Sequence, residues 1–340
     1  MASRELAFSD PEVIRLASDR FIPLAENCSP LQTQRDAKGE FFRLVAEQGH
    51  YAGRTVPSAT RQGQYAFTAG GILLGSINTR EVGKMLGMLQ QALRRWAEIR
   101  DGGAAAAGDA PASYQPDPRY PPRYPVDGLV LKVFLRDLAR HDDGREPDWR
   151  SRAVNYDYAW FTKEEARSLV PSTPRAGTRQ DVPWPIARRL ARFHLLDAVR
   201  GETPSWREDE VRSARLWTEV VAVDGPRVEL RLGGTVLNAA TGTWAVRPFR
   251  EKVAGRTRGY HCRLRGNLTY DRSREAFTRF DVLAVGDRWG GTEHNVRWDD
   301  LAPAPLGIAF ELAGTAPRDR TPPHANLWDY FGVPVEQRPR

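Results

Sequence analysis

A stretch of 26 residues that cannot build a packed core divides this chain into two parts. Residues 101–126, DGGAAAAGDAPASYQPDPRYPPRYPV, begin rich in Gly and Ala and continue with closely spaced Pro. Gly-rich sequence is flexible and Pro-rich sequence is extended, so the stretch reads as a linker. The chain of 340 residues has room for two domains. We therefore predict an N-terminal domain over 1–100, a second domain over 127–314 and an extended tail over 315–340.

The N-terminal part predicts a mixed order of helices and strands. Asp10 and Pro11 begin a helix, because Asp caps helix N-termini and Pro suits the first turn. Gly70 and Gly71 supply the positive φ that a tight hairpin turn needs. The predicted elements are a helix after Asp10, a buried strand over 21–25, a helix over 38–48, a hairpin over 64–77 and a helix over 79–99.

Two segments of this part resemble thioredoxin-like bacterial proteins. They are SDPEVIRLASDRFIPL at 9–24, and the hairpin with its following helix, so the resemblance covers roughly residues 5–99. It implies an α/β thioredoxin-like domain, but the CxxC motif of the family is missing. Its nearest analogue is Cys28-Ser29-Pro30-Leu31, where Leu31 stands in place of the second cysteine. Because a dithiol–disulfide cycle needs two thiols, the resemblance implies the fold without the redox reaction.

The second domain is predicted to be an α+β unit with a curled antiparallel sheet, which makes the whole chain α+β. Alternation is clearest in Tyr260, Cys262, Leu264, Gly266, Leu268 and Tyr270, a pattern typical of a sheet with one buried face. Helices are predicted over 162–170, where Thr162 and Glu165 can form a capping box, and over 183–200. Strands are predicted over 129–135, 214–223, 227–237, 259–270, 276–285 and 306–312.

Two polar residues stand out in the helix predicted over 183–200. His194 and Asp197 fall on the apolar face that Ile186, Leu190 and Phe193 define. Buried polar groups need partners, because unpaired burial costs about 1–3 kcal/mol. The two residues can be an acid–base pair, two ligands of a metal, or a satisfied buried pair that braces the helix. The structural interpretation is favoured, since buried polar networks often specify packing.

A second candidate cluster lies in the segment TYDRSREAFTRFDVLAVGDRW at 269–289. Arg279 and Asp281 share one strand face, and we expect them to meet His194 and Asp197 if the strand lies against the helix. These four are the candidate catalytic residues. The candidate ligand-binding residues around them are Arg200, Glu202, Asp287 and Trp289. The alternative is an ordinary ion-paired interior of an Arg-rich protein, which is favoured again.

Three segments of the second domain show a further resemblance. RFHLLDAVRGE at 192–202, the segment that begins LTYDRSREAFTRF at 268, and LGIAFEL at 306–312 resemble bacterial proteins of no assigned activity that join a thioredoxin-like domain to such a region. The resemblance implies the two-domain layout and no reaction. Phosphate-binding glycine loops, a nucleophile elbow and HExxH are all absent from the sequence, so no cofactor is assigned.

Composition narrows the class of partner. The net charge is +7, yet acidic residues are interspersed with the arginines along the chain, which argues against nucleic acid as a partner. The two cysteines, Cys28 and Cys262, show no zinc spacing, and the metal content stays undetermined. No apolar run is long enough to span a bilayer, and the first ten residues show no signal peptide, so we expect a cytoplasmic protein unless a leader has been removed.

These observations leave three hypotheses of function. The leading one is a non-redox ligand-binding or scaffold protein whose partner is a small molecule or a protein. The first alternative is an enzyme, with or without a metal, built on the four candidate catalytic residues. The second alternative is a single-cysteine redox protein that uses Cys28, which requires this thiol to react faster than a free cysteine, whose pKa is about 8.5.

Overall fold

The computed structural model of the chain separates into two compact units, one of residues 3–118 and one of residues 119–340 with residues 1–2. The structure describes residues 7–8, 10–26, 28–33, 36–52, 60–79, 81–101, 125, 127–138, 153–246, 249–315, 319, 321–325 and 327–332.

The first unit packs helices against a β-hairpin. Its elements are α1 (Pro11–Arg20), α2 (Cys28–Leu31), α3 (Ala37–Glu47), β1 (Gln64–Phe67), β2 (Leu73–Ile77) and α4 (Val82–Asp101). Asp10 caps α1 by accepting hydrogen bonds from the Glu12 and Val13 amides. Apolar residues of α4 pack on the hairpin and on Val13. The hairpin and the helix after it are therefore confirmed.

The strand predicted over 21–25 is wrong. This segment has no strand hydrogen bonds, and Ile22 and Leu24 are 89% and 77% exposed. Among the described residues of the first unit, the sheet has two antiparallel strands, β1 and β2. A thioredoxin-like fold is not confirmed. The apolar letters of 21–25 predicted burial, but Pro23 and the end of α1 at Arg20 leave the segment an extended connection at the surface.

The second unit is built on one antiparallel sheet of eight strands. The strands are β3 (Leu129–Asp137), β4 (Val154–Phe161), β5 (Arg179–Asp181), β6 (Val211–Asp224), β7 (Arg227–Val246), β8 (Phe249–Asp271), β9 (Ala276–Trp289) and β10 (Ala304–Leu312). Their order across the sheet is β4-β3-β10-β9-β8-β7-β6-β5. The α+β class and the large antiparallel sheet are confirmed. The segments that become β4 and β5 were not predicted as strands.

One face of this sheet carries the core. The helices α5 (Lys163–Ser168) and α6 (Trp184–Phe193) contribute apolar side chains to the same cluster as the alternate inward residues of the strands. The short α7 (Leu327–Tyr330) places Tyr330 against Trp160 and Phe193 in a second, smaller cluster. Along β6 to β9, exposed residues alternate with the buried ones and form the opposite face of the sheet, as the pattern predicts.

The helix predicted over 183–200 ends at Phe193, seven residues early. Its last carbonyls are taken by other partners: Asn238 Nδ2 donates to Ala191 O at 2.9 Å, and the Trp206 amide donates to Arg192 O at 3.0 Å. Such bonds satisfy the orphan carbonyls of a helix end. His194 and Asp197 therefore lie beyond the helix, in the chain that follows it.

Candidate functional site

Three arginines and three aspartates form a buried ion network in the second unit. Arg297 is its centre, with a side chain that has no exposed surface. It contacts Asp197 through Nε at 2.8 Å and Nη2 at 2.7 Å, and Asp137 through Nη1 at 2.8 Å and Nη2 at 2.7 Å. Each aspartate is thus bound in two-pronged fashion, the strongest geometry for a guanidinium and a carboxylate.

The other members extend the network through shared carboxylates. Arg200 contacts Asp137 at 2.8 Å and Asp300 at 3.1 Å. Arg288 contacts the Asp300 carboxylate at 2.6 Å. Three positive and three negative groups balance one another, so the network needs no outside ion for neutrality.

The pKa values in the network follow from this pairing. Burial acts to raise the pKa of the Asp137 carboxyl, but the hydrogen bonds and charge of Arg297, with the charge of Arg200, hold that pKa below its usual range. Burial acts to lower the pKa of Arg297, and the charges of Asp197 and Asp137 raise it instead. Both shifts favour the charged forms of Asp137 and Arg297 near neutral pH.

The network ties together parts of the chain that are distant in sequence. Asp137 ends β3, Asp197 follows α6, Arg288 lies on β9 and Arg297 follows β9. Breaking a buried pair by removing one partner typically costs about 3–5 kcal/mol, because the other charge is left uncompensated. We conclude that Asp197 and Arg200 are structural cross-links of the fold.

His194 belongs to a different cluster. Its Nε2 lies 2.8 Å from the Tyr330 hydroxyl, and that hydroxyl oxygen accepts the Trp160 amide at 3.0 Å. In the tautomer whose ring proton lies on Nδ1, the Tyr330 hydroxyl donates its proton to Nε2. His194 Nδ1 has no hydrogen-bond partner among the described residues, and its nearest carboxylate oxygen is Asp157 Oδ2 at 3.4 Å.

A narrow cleft opens beside this ring. Its polar lining residues are Asn155, Asp157, His194, Glu202, Thr203 and His324. The free volume is about 20 Å³, which is room for one water-sized group. Asp157 is held in place by the His324 amide, which donates to Oδ1 at 2.8 Å. Glu202 is exposed and marks the open side of the cleft.

The predicted assembly of four catalytic residues is wrong. Phe280 and Val282 face the core, so strand alternation turns Arg279 and Asp281 outward, where both are exposed and pair with each other at 2.5 Å. His194 and Asp197 do not form a pair either, because His194 contacts Tyr330 and Asp197 contacts Arg297.

The predicted ligand-binding residues are also dispersed. Arg200 lies in the ion network and Glu202 at the cleft. Asp287 and Trp289 lie on the exposed face of β9, where the Trp289 indole covers Gly259. The structure brings Glu202 and His194 to one cleft and leaves the other candidates elsewhere.

The two thiols are held in their protonated forms. Burial raises the pKa of Cys28, although Arg61 acts in the opposite direction, and the thiol donates a hydrogen bond to Gln32 Oε1 at 3.3 Å. Burial raises the pKa of Cys262, which faces the core of the sheet, to about 12. The thiolate is the reactive form of cysteine, so both side chains are poor nucleophiles at neutral pH.

Sequence reasoning missed three residues that organise the site. Arg297 lies in the dense polar run GTEHNVRWDD at 291–300, whose alternating charges were a signal that could have marked it. Asp157 lies in β4, which was not predicted as a strand. Tyr330 lies in the segment predicted as an extended tail, and the structure shows it buried against Phe193.

Other comparisons add no assignment. In the described parts of the chain, no group of three or more His, Cys, Asp or Glu side chains is arranged to hold a metal ion. No helix among those residues is long and apolar enough to cross a membrane. Comparison with protein-family models, with curated proteins and with solved structures finds no match to this chain.

Proposed function

We propose that this protein is a non-redox ligand-binding protein whose ligand site is the cleft beside His194. The observation that carries the proposal is a buried nitrogen without a hydrogen-bond partner at that cleft, beside a carboxylate. His194 Nδ1 is a buried donor without a hydrogen-bond acceptor, and the Asp157 carboxylate lies 3.4 Å from it. A buried polar atom without a partner costs free energy that a bound group can recover.

The chemistry of the cleft favours a hydroxyl group of the ligand. Nδ1–H donates, and the carboxylates of Asp157 and Glu202 accept, so a group that both accepts and donates satisfies both sides. A hydroxyl also fits the free volume of about 20 Å³. The two carboxylates disfavour an anionic ligand. We infer a small, uncharged, hydroxylated molecule that inserts one hydroxyl and leaves its remaining atoms at the open side.

A non-catalytic role agrees with the surroundings of His194. The Tyr330 hydroxyl occupies Nε2 and is itself buried, so a reacting group does not reach that nitrogen. Asp197, the predicted partner of His194 in acid–base chemistry, is held by both nitrogen arms of Arg297. Catalysis by a general base requires a free ring nitrogen within hydrogen-bond reach of the substrate proton. Nδ1 of His194 faces a cleft with room for one water-sized group, which suits the binding of a ligand group better than the turnover of a substrate.

Ligand-observed NMR tests this proposal with named probes. Glycerol, myo-inositol and glucose form the hydroxylated set, and acetate and succinate form the anionic set. We expect saturation-transfer signals from at least one hydroxylated probe and none from the anions. The signal should fall at least threefold in Glu202→Ala, an exposed position, and in Asp157→Asn, whereas Asp281→Asn on the outer sheet face serves as the matched control.

Two results would overturn the proposal. One is the absence of a signal from every hydroxylated probe at millimolar concentration. The other is a signal of unchanged strength in both Glu202→Ala and Asp157→Asn, which would place binding elsewhere.

A further inference from the structure

The net charge of this protein resides in one of its two units. The unit of residues 3–118 contains 13 basic and 13 acidic residues, so the excess of +7 belongs to the unit with the large sheet. Along the sequence of that unit the acids and bases alternate closely. On the outer face of the sheet some of these charges pair with each other, as Arg279 does with Asp281, and other arginines have no such pair among the described residues.

The outer face of β8 carries two arginines without partners. Arg263 and Arg265 are exposed, and neither has a carboxylate within 4.0 Å among the described residues. Their cross-strand neighbours are uncharged: Thr235 and Val285 flank the first, and Gly233 and Leu283 flank the second. By contrast, Arg279 and Arg227 elsewhere on the sheet pair with Asp281 and Glu229 at 2.5 Å and 2.8 Å.

Further guanidinium groups surround these two. Arg215 on β6 and Arg231 on β7 are exposed on the same face. Thr235 is the backbone partner of both Arg215 and Arg263, so these two lie two strand spacings apart, or about 10 Å. Carboxylates also lie on this face but do not reach the two β8 arginines: Asp287 is the cross-strand partner of His261, Asp281 that of Asn267, and Glu219 that of Arg231.

Two tryptophans lie flat on the same face over glycines. A Cβ at Gly233 would come 2.4 Å from Trp217 Cζ2, and a Cβ at Gly259 would come 1.8 Å from Trp289 Cζ2. The Arg179 guanidinium stacks on the Trp217 ring, 3.9 Å from its centroid. Trp289 is half-buried, so one face of its indole rests on Gly259 while part of the ring remains exposed. His261, two residues after Gly259 on β8, is also exposed.

We propose that this face of β6 to β9 binds single-stranded nucleic acid. A row of an aromatic ring, a histidine and two unpaired arginines runs along β8 from Gly259 to Arg265. Guanidinium groups bind phosphates, and indole rings or flat guanidinium groups stack on bases, which is how open sheet faces hold single strands. The partly exposed Trp289 indole and the stacked Arg179 favour a ligand with planar groups over an acidic polypeptide, which offers charge alone.

Fluorescence anisotropy with a fluorescein-labelled 20-nucleotide oligothymidylate tests the proposal on the full chain. We expect binding at 50 mM salt, weakened at least tenfold by the double variant Arg263→Gln/Arg265→Gln. The slope of log affinity against log salt should fall in magnitude by about 1.4, because each phosphate contact to a single strand contributes about 0.7. Arg94→Gln/Arg95→Gln removes the same charge from exposed positions of α4 and should leave the affinity within twofold.

Trp289 supplies a readout that charge alone does not move. Trp289→Ala should weaken binding about five- to 100-fold with an unchanged salt slope, since stacking is not ionic. Trp289→Phe keeps an aromatic ring over Gly259 and should restore most of the affinity, which separates stacking from a folding defect.

Three outcomes would overturn the proposal. The first is no binding of the oligothymidylate at 100 µM protein and 50 mM salt. The second is an equal loss of affinity in the Arg263/Arg265 and Arg94/Arg95 variants, which would show attraction by net charge only. The third is equally tight binding of a 20-residue polyglutamate peptide, which would assign the face to an acidic protein partner. The cleft beside His194 is unaffected by any of these results.

Discussion

Replacing Arg297 with methionine removes the guanidinium at the centre of the ion network and keeps much of the side-chain volume. Asp197 then loses the hydrogen bonds to both of its carboxylate oxygens. Asp137 loses two contacts and retains Arg200 at 2.8 Å. One buried carboxylate is left uncompensated and a second is left half-paired, so we expect the free energy of unfolding to fall by about 3–5 kcal/mol.

Tryptophan fluorescence during urea unfolding measures this loss. Nine of the ten tryptophans lie in the unit of residues 119–340, so the signal reports mainly on the unit that holds the network. Arg279→Met is the matched control, because it removes an arginine from an ion pair whose side chains are more than half exposed. Such surface pairs contribute about 0–1 kcal/mol.

The size of the difference between the two variants decides the outcome. Equal destabilisation by Arg297→Met and Arg279→Met would refute the reasoning, because it would show that the buried network does not hold the fold. The double variant Arg297→Met/Asp197→Leu should recover part of the loss, since it removes the orphaned charge together with its partner.

Three further predictions follow from the same contacts. The pKa of Asp137 is lowered in the folded state, so this carboxylate stabilises the fold fully above its unfolded pKa of about 4 and loses that effect as pH falls through the folded pKa. Thermal melts between pH 6 and pH 2 should therefore show a smaller fall in melting temperature for Asp137→Asn than for the wild type. Tyr330→Phe leaves His194 Nε2 and the Trp160 amide without their partner, so the free energy of unfolding should fall by about 1–3 kcal/mol. Hydrogen exchange at the Trp160 amide should become faster, and unchanged exchange would contradict the contact. Ellman's reagent at pH 7 should modify Cys262 only after unfolding and Cys28 more slowly than free cysteine; rapid reaction of Cys28 would restore the redox hypothesis.

The strands of the second unit could be read from the sequence because their signal is local. Alternation from Tyr260 to Tyr270 and turn residues such as Gly225 fix both the face and the ends of a strand. The same alternation predicted that Arg279 and Asp281 share a face. It could not tell which face is covered, since that depends on where α6 packs, and the exposed face proved to be theirs.

The site depended on contacts between distant residues, which one sequence does not reveal. His194 was marked by its position near an apolar helix face, but its partners Tyr330 and Asp157 are 136 and 37 positions away. The early end of α6 at Phe193 depends on Asn238 from β7. Helix periodicity continued past that point in the sequence and therefore predicted a longer helix.

The protonation state of His194 tests the account of the ligand site most directly. A two-dimensional ¹⁵N–¹H spectrum of the histidine side chains, assigned by comparison with His194→Gln, reports which ring nitrogen carries the proton. The geometry predicts the proton on Nδ1 and a bare Nε2 that accepts from Tyr330. A proton on Nε2 would remove the donor from the cleft and contradict the proposed site.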